Sequence, residues 1–503
     1  MASERSQTTA VTECIMYNGS QNRGMATSLS GLSISGLREW YQSGNTPEDL
    51  VDALLSDWHG PDEDNVWITR RSKDAIRERA ATLTVRSFDF ERAPLYGIPF
   101  AVKDNVDVKD MATTAGCPEY AYTPEKDATV VKRLRDAGAI LVGKTNMDQF
   151  ATGLVGTRSP YGETHNAFDP TYISGGSSSG SAVAVAKGLV AFALGTDTAG
   201  SGRVPAAMNH VVGLKPTRGV IPTDGVVPAC RSLDCVSVFA TSAADALLVE
   251  QTVAGPSEAD PYSRRDPPNL DASDGGVPDS FRFGVPTDLE FFGDNATAER
   301  YRNAVSVLES MGGTPVDVDP DPFLEVGSLL YDGPWLAERY AAVGDFIDAN
   351  PESVLPVTRD IIRSGRGYSA VEAFEAMYER QAIATAVERE LAEIDFLCVP
   401  TVGTIYTREA IGRHPVELNS KLGRYTNFLN LLDQSGVAIP TGTRQSGPHE
   451  GLPTGVTLIA GSGEEAPLVV FGDELPRQLE LSPGVPGLHD GWHGPSFETP
   501  IGR

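Results

Sequence analysis

Between Tyr96 and Ala254, short apolar runs alternate with stretches of helical spacing. The runs are GIPFAV (97–102), AILVGK (139–144), LVAFALGTD (189–197) and VVGLKP (211–216), and Thr129–Ala137 and Ser181–Gly188 are two of the helical stretches between them. Apolar runs of this length read as buried strands. Their alternation with helices predicts an α/β fold, a large mixed sheet covered by helices on both faces. Upstream, Leu32 to Arg86 is mostly helical, with Leu37, Trp40 and Tyr41, then Leu50, Leu54 and Trp58, near helical spacing.

Downstream of a Pro, Asp and Ser-rich connection at 255–280, read as a surface loop within one domain, the pattern resumes. A strand (FRFGVP), a helix (Ala296–Met311) and two long helical stretches near 323–348 and 369–393 are expected. A strand (FLCVPTVG), a helix around Tyr425–Leu432 and a last strand (GVTLIAG) follow. The closing helix in GEEAPLVVFGDELPRQLEL is expected to be broken by Pro467 and Pro476. The expected division is a loose polar leader at 1–31, one folded unit at 32–469 and an irregular tail at 470–503. No internal repeat is visible.

Composition narrows the function. The chain carries 41 Lys plus Arg against 68 Asp plus Glu, a net charge of −27, and only nine of the cations are Lys. Nucleic acid and anionic membrane surfaces are disfavoured as partners, since both select basic stripes. No apolar run approaches the roughly 20 residues that cross a bilayer. The N-terminus lacks a secretory pattern, so a cytoplasmic location is expected. Five cysteines in 503 residues make no disulfide framework. Heavy acid with little Lys suits a salt-rich cytoplasm, and a GC-rich genome gives the same bias.

Chemistry concentrates in Ser174–Arg203, SGGSSSGSAVAVAKGLVAFALGTDTAGSGR, where two glycine–serine loops flank a helix-then-strand. Glycines let the backbone approach a ligand, and the loop amides can form an anion-binding nest. Gly195 and Gly200 have phosphate-loop spacing, but Ser201 stands where that motif needs Lys. Gly176–Gly180 formally matches a hydrolase nucleophile elbow, yet polar DPTYIS precedes it instead of a buried strand, and no histidine has supporting context. A Ser–Lys reading uses Lys103, at the end of the run GIPFAV. Burial there lowers a lysine pKa towards the neutral amine, which can serve as a general base. The alternative is a strand-end cation reaching to water.

The stretch GGSSSGSAVAVA…GTDTAGSGRVPAAMNHVVGLKPTRG resembles the amidase signature family of Ser-cisSer-Lys amide hydrolases, and the resemblance runs from about Leu32 to about Val469. It implies Ser201 as nucleophile, and Ser177, 24 residues earlier, as the bridging serine after a cis peptide. Lys103, 74 residues before Ser177, is implied as the base. Backbone N–H groups of Thr198, Ala199, Gly200 and Ser201 would form the oxyanion hole. Asp197 and Arg203 would brace the loop.

GVVPACRSLDCVSVFA (225–240) and LLYDGPWLAERYAA (329–342) resemble the allophanate-cleaving branch of that family. There a Tyr and an Arg eight residues apart hold the substrate carboxylate, here Tyr331 and Arg339. On one continuous helix that separation leaves the two side chains about 80° apart. The structural alternative is a packed Tyr331 and an Arg339 paired with a surface acid. The resemblance implies a small anionic amide as substrate, a homodimer and a functional link to a urea carboxylase. Other branches left open are a broad small-amide amidase and the glutaminase component (the A subunit) of the glutamyl-tRNA amidotransferase. A non-catalytic binding protein is disfavoured by the intact Lys103, Ser177 and Ser201. Allophanate hydrolases often carry a further C-terminal domain, for which the sequence after 469 is expected to be too short. Cys230 and Cys235 lack zinc-like spacing, and neither a metal nor a cofactor is indicated.

Overall fold

The computed structural model describes residues 33–481 apart from 57, 59–61, 86–88 and 273–275. The expected leader and the part of the expected tail from 482 onward lie outside the described residues. The strands are β1 (Trp67–Arg70), β2 (Pro99–Lys103), β3 (Ile140–Thr145), β4 (Phe192–Asp197), β5 (Val212–Lys215), β6 (Cys235–Ala240), β7 (Phe281–Pro286), β8 (Gly313–Val318), β9 (Phe396–Pro400), β10 (Ser435–Thr443) and β11 (Pro453–Ala460). They form one sheet in the order β1-β3-β2-β4-β6-β5-β10-β11-β9-β7-β8. Strand β2 runs parallel to both β3 and β4, and β7 parallel to β8 and β9, while the other pairings are antiparallel.

The central strands are buried along their whole length, as a sheet covered on both faces requires. Their side chains sort by size. Phe100, Val102, Phe192, Leu194, Val236, Val238, Val437 and Ile439 point to one face, where they join Leu247, Leu308, Leu468 and Phe471 from helices Ala243–Val253, Asn295–Ser310 and Glu465–Gln478. The alternate positions Ala101, Ala193 and Ala438, with Phe239, point to the other. Small residues on that second face let helix Ser179–Ala186, itself composed of Ser, Gly, Ala and Val, lie close to the sheet. Gly180 packs against the residues flanking β1 and β3: a Cβ there would overlap the carbonyl oxygen of Val66 and fall 2.7 Å from the Asn146 nitrogen.

Three expectations are corrected. The closing helix does form, from Glu465 to Gln478, and so runs beyond position 469. Pro467 lies in its first turn, where a missing N–H costs nothing, and burial of Leu468, Phe471 and Leu475 outweighs Pro476 in the last turn. The segment Tyr425–Leu432 is a chain of turns following helix Glu417–Leu422, not a helix. Asn430 lies within it, and its side-chain amide donates to the carbonyls of Asp197 and Leu233, both at 2.8 Å, tying the turns to the sheet. The long helical stretch near 323–348 is two helices, Asp321–Asp332 and Trp335–Ala349, separated at Gly333-Pro334. Gly333 is extended (φ −129°, ψ −176°), the backbone a following proline favours.

The close contact of Gly180 with Val66 and Asn146 predicts that Gly180→Ala lowers stability by about 1–3 kcal/mol, the cost of overpacking, as read from the denaturant midpoint. An unchanged midpoint would mean that the helix can shift away from Val66.

Candidate active site

Strands β2 and β4 lie side by side and parallel, so their C-terminal ends open on the same edge of the sheet. Lys103 ends β2, and Thr196 and Asp197 end β4. Lys103 is fully buried, and its Nζ donates to Ser177 Oγ at 2.8 Å and to Thr196 Oγ1 at 2.7 Å. It forms no ion pair among the described residues. Burial pushes its ammonium down to about 7, against the pull of Asp148, Asp234 and Asp197 and with the help of Arg339.

Ser177 follows a cis peptide bond from Gly176, as the resemblance implies. Its carbonyl accepts the Asp148 N–H at 3.0 Å. The Asp148 carboxylate accepts the N–H groups of Val155, Gly156 and Arg158 at 3.1, 3.0 and 2.9 Å, and a Cβ on Gly176 would collide with it. Asp148 thereby fixes both the Ser177 backbone and the loop Gln149–Arg158.

Ser201 is 3 % exposed and makes no side-chain hydrogen bond among the described residues. The backbone N–H groups of Thr198, Ala199, Gly200 and Ser201 likewise find no acceptor among them. Four consecutive idle donors in a buried turn suit a developing oxyanion. Gly200 has φ +144° and faces Thr426, whose side chain a Cβ would strike. The turn is braced twice. Asp197 accepts from Arg203 Nε and Nη2, both at 2.9 Å, and from the Gly202 N–H at 3.0 Å. Burial would raise Asp197, but the Arg203 charge more than offsets this and keeps its carboxyl below the usual range. On the other side the Thr198 hydroxyl donates to Asp234, which also accepts the N–H groups of Ala229 and Cys230.

Tyr331 and Arg339 meet although they stand on different helices, so the single-helix argument that paired them does not hold. The break at Gly333-Pro334 separates the two helices. Arg339 Nη2 donates to Tyr331 Oη and Nη1 to Thr152 Oγ1, each at 3.4 Å, and the guanidinium carbon stands 5.2 Å from the Tyr331 ring centroid. Arg339 is 1 % exposed, its Nε is unpartnered, and it pairs with no carboxylate among the described residues. A buried guanidinium with two long neutral contacts keeps most of its hydrogen-bonding capacity for a ligand. Its contact with Thr152 puts it against the segment Gln149–Arg158 that Asp148 anchors to Ser177, and its charge lowers the pKa of the Lys103 amine.

The sequence reading missed Thr196, Asp148, Asp234 and Thr152. Thr196 lies two residues before Thr198 inside the glycine–serine segment, so its strand position beside Lys103 was the available signal. Asp148 and Thr152 lie in the segment after β3 and Asp234 in the stretch 225–240, and none of the three belongs to a motif that assigns it a role.

The amidase family model matches residues 49–469. Urea amidolyase of Saccharomyces cerevisiae is 45 % identical over 434 residues, covering 85 % of this chain and 23 % of that protein. Allophanate hydrolase of Kluyveromyces lactis superposes with a TM-score of 0.84 at 42 % identity, over 90 % of this chain and 73 % of that one. The A-type component of the glutamyl-tRNA(Gln) amidotransferase of Lactobacillus johnsonii is 31 % identical, over 91 % of this chain and 99 % of that protein. The chain belongs to the amidase family. It spans about a quarter of the length of the urea amidolyases it matches.

Removing one partner of the Asp197–Arg203 pair leaves a buried charge unpaired. Arg203→Met is therefore expected to cost about 3–5 kcal/mol in denaturant unfolding, and a loss below about 1 kcal/mol would contradict the bracing role.

Proposed function

We propose that the protein is an amide hydrolase that cleaves allophanate, N-carbamoylcarbamate, with Lys103 as base, Ser177 as proton relay and Ser201 as nucleophile. The observation that carries the substrate class is the buried, carboxylate-free Arg339 beside the Lys103–Ser177 pair. A planar guanidinium and the Tyr331 hydroxyl together offer a fork and a single donor to the substrate carboxylate.

The neutral amine of Lys103 takes a proton from Ser177, which takes one from Ser201 as its Oγ attacks the terminal carbamoyl carbon. The oxyanion develops against the free N–H groups of residues 198–201, which need no reorganisation to receive it. The relay returns the proton to the departing nitrogen, ammonia leaves, and the acyl group stays on Ser201. Water, activated by the same relay, releases N-carboxycarbamate, which decarboxylates to give overall two ammonia and two carbon dioxide. In this reading the protein consumes the product of a urea carboxylase. Its working solvent is a salt-rich cytoplasm, a setting supported by the charge of −27 with nine lysines.

A second reading, glutamine-dependent ammonia supply to a tRNA amidotransferase, is favoured by the match to nearly the whole length of the Lactobacillus amidotransferase component. The two separate in one assay of ammonia release from allophanate, malonamate, glutamine and a neutral amide, at several salt concentrations. The proposal predicts turnover of the two net-anionic amides, allophanate and malonamate, well above zwitterionic glutamine and the neutral amide. Equal rates on anionic and neutral amides would overturn it. Because the base must be the free amine, kcat/KM should rise with pH through about 7 and level off above it. A flat profile across that range would remove Lys103 as base.

A further inference from the structure

A cavity of about 340 Å³ opens beside the candidate site, and Tyr331 forms part of its wall together with Leu154, Asn419 and Arg424. Lys421 and Asp332 also line it, and Lys421 is taken up by Glu417 at 2.8 Å. Arg424 is different. It forms no ion pair among the described residues of a chain that carries 68 acids, and its Nε is buried without a partner. Its guanidinium carbon stands 5.8 Å from the ring centroid of the buried Tyr425, whose hydroxyl is its neutral partner.

The turn bearing Arg424 is held on both sides. Tyr425 Oη donates to the Glu290 carbonyl at 3.0 Å and accepts the Glu290 N–H at 2.6 Å. The Thr426 carbonyl accepts from Arg203 Nη2 at 3.1 Å, and its side chain is the one facing Gly200, the residue before Ser201. Arg424 thus stands two residues from direct contact with the Ser201 turn, on the cavity that Tyr331 shares. The inner cation, Arg339, is 1 % exposed and out of reach of a ligand still in water.

We infer that Arg424 is an outer docking residue for carboxylate-bearing amides, drawing them into this cavity before the Tyr331–Arg339 pair receives the carboxylate. The inference rests on the proposed preference for anionic amides. A net charge of −27 repels such a substrate at a distance, and Asp332 adds a carboxylate to this wall; Arg424, with no acid partner among the described residues, supplies the local attraction that opposes both.

The test compares wild type, Arg424→Met and Arg424→Lys by kcat/KM for ammonia release from malonamate and from neutral malonamide. The readout is the ratio of the two values, at about 0.01 M and about 1 M salt, where the Debye length falls from about 30 to about 3 Å. Arg424→Met should lower the malonamate-to-malonamide ratio about five-fold at low salt, and Arg424→Lys should keep more than half of it. At 1 M salt wild type and Arg424→Met should agree within about two-fold. An unchanged ratio in Arg424→Met at low salt overturns the inference, as does equal loss in both variants, which would make the role one of shape. A wild-type enzyme with no preference for malonamate fails before any variant is made, and that outcome overturns the proposed function itself.

Discussion

The placement of one lysine amine in a dry site without a carboxylate governs the architecture around it. An ammonium buried this way loses its hydration and gains only two neutral acceptors, Ser177 Oγ and Thr196 Oγ1, so its charged form is disfavoured. Each neighbour serves that placement. Parallel pairing of β2 with β4 sets Lys103 beside Thr196, the small-residue face admits helix Ser179–Ala186, and that helix delivers the Ser177 loop. The nearest acids are spent on other donors: Asp148 on three backbone N–H groups, Asp197 on Arg203, and Asp234 on Thr198 and two N–H groups. Their fields moderate the lysine without neutralising it.

The electrostatics of the molecule divide by depth. At the surface, acids outnumber bases and act through solvent and salt. Inside, individual arginines have separate duties: Arg203 is ion-paired with Asp197 and holds a turn, whereas Arg339 is held by Tyr331 and Thr152 and lacks an acid among the described residues. The contrast matters because a paired buried cation stabilises a loop, while an unpaired one has a strong unmet demand for an anion. The segment Gln149–Arg158 joins the two regions, since Asp148 anchors it against Ser177 and Thr152 on it meets Arg339.

Much of the sheet was legible in the sequence because its strands are local patterns, whereas Lys103 and Ser177, 74 residues apart, were joined only by the family resemblance. GIPFAV, AILVGK and LVAFALGTD are continuous apolar runs, and the glycine–serine segment between Ser174 and Arg203 is chemically unlike its surroundings. Strand β10, at the centre of the sheet, went unread: SGVAIPTGT contains two glycines and a proline, and its identity comes from pairing with β5 and β11. The closing helix was misjudged because proline position within a helix, and not proline count, decides the cost. Tyr331 and Arg339, singled out by resemblance, do meet, but across a break between two helices and not through the periodicity of one. Asp148, Asp234 and Thr152 were invisible because what ties each to the site, Ser177, Thr198 and Arg339 in turn, lies on a distant segment, even though Asp148 and Asp234 also bond to N–H groups close by in sequence.

Direct titration of Lys103 tests the central claim, and a chain with nine lysines makes it tractable. With the lysine side chains labelled with carbon-13 at Cε, the resonance absent from Lys103→Met is expected to titrate near pH 7 in the folded protein. If that resonance instead titrates near 10, with the ordinary lysines, the amine is charged at neutral pH and the account of this site is wrong.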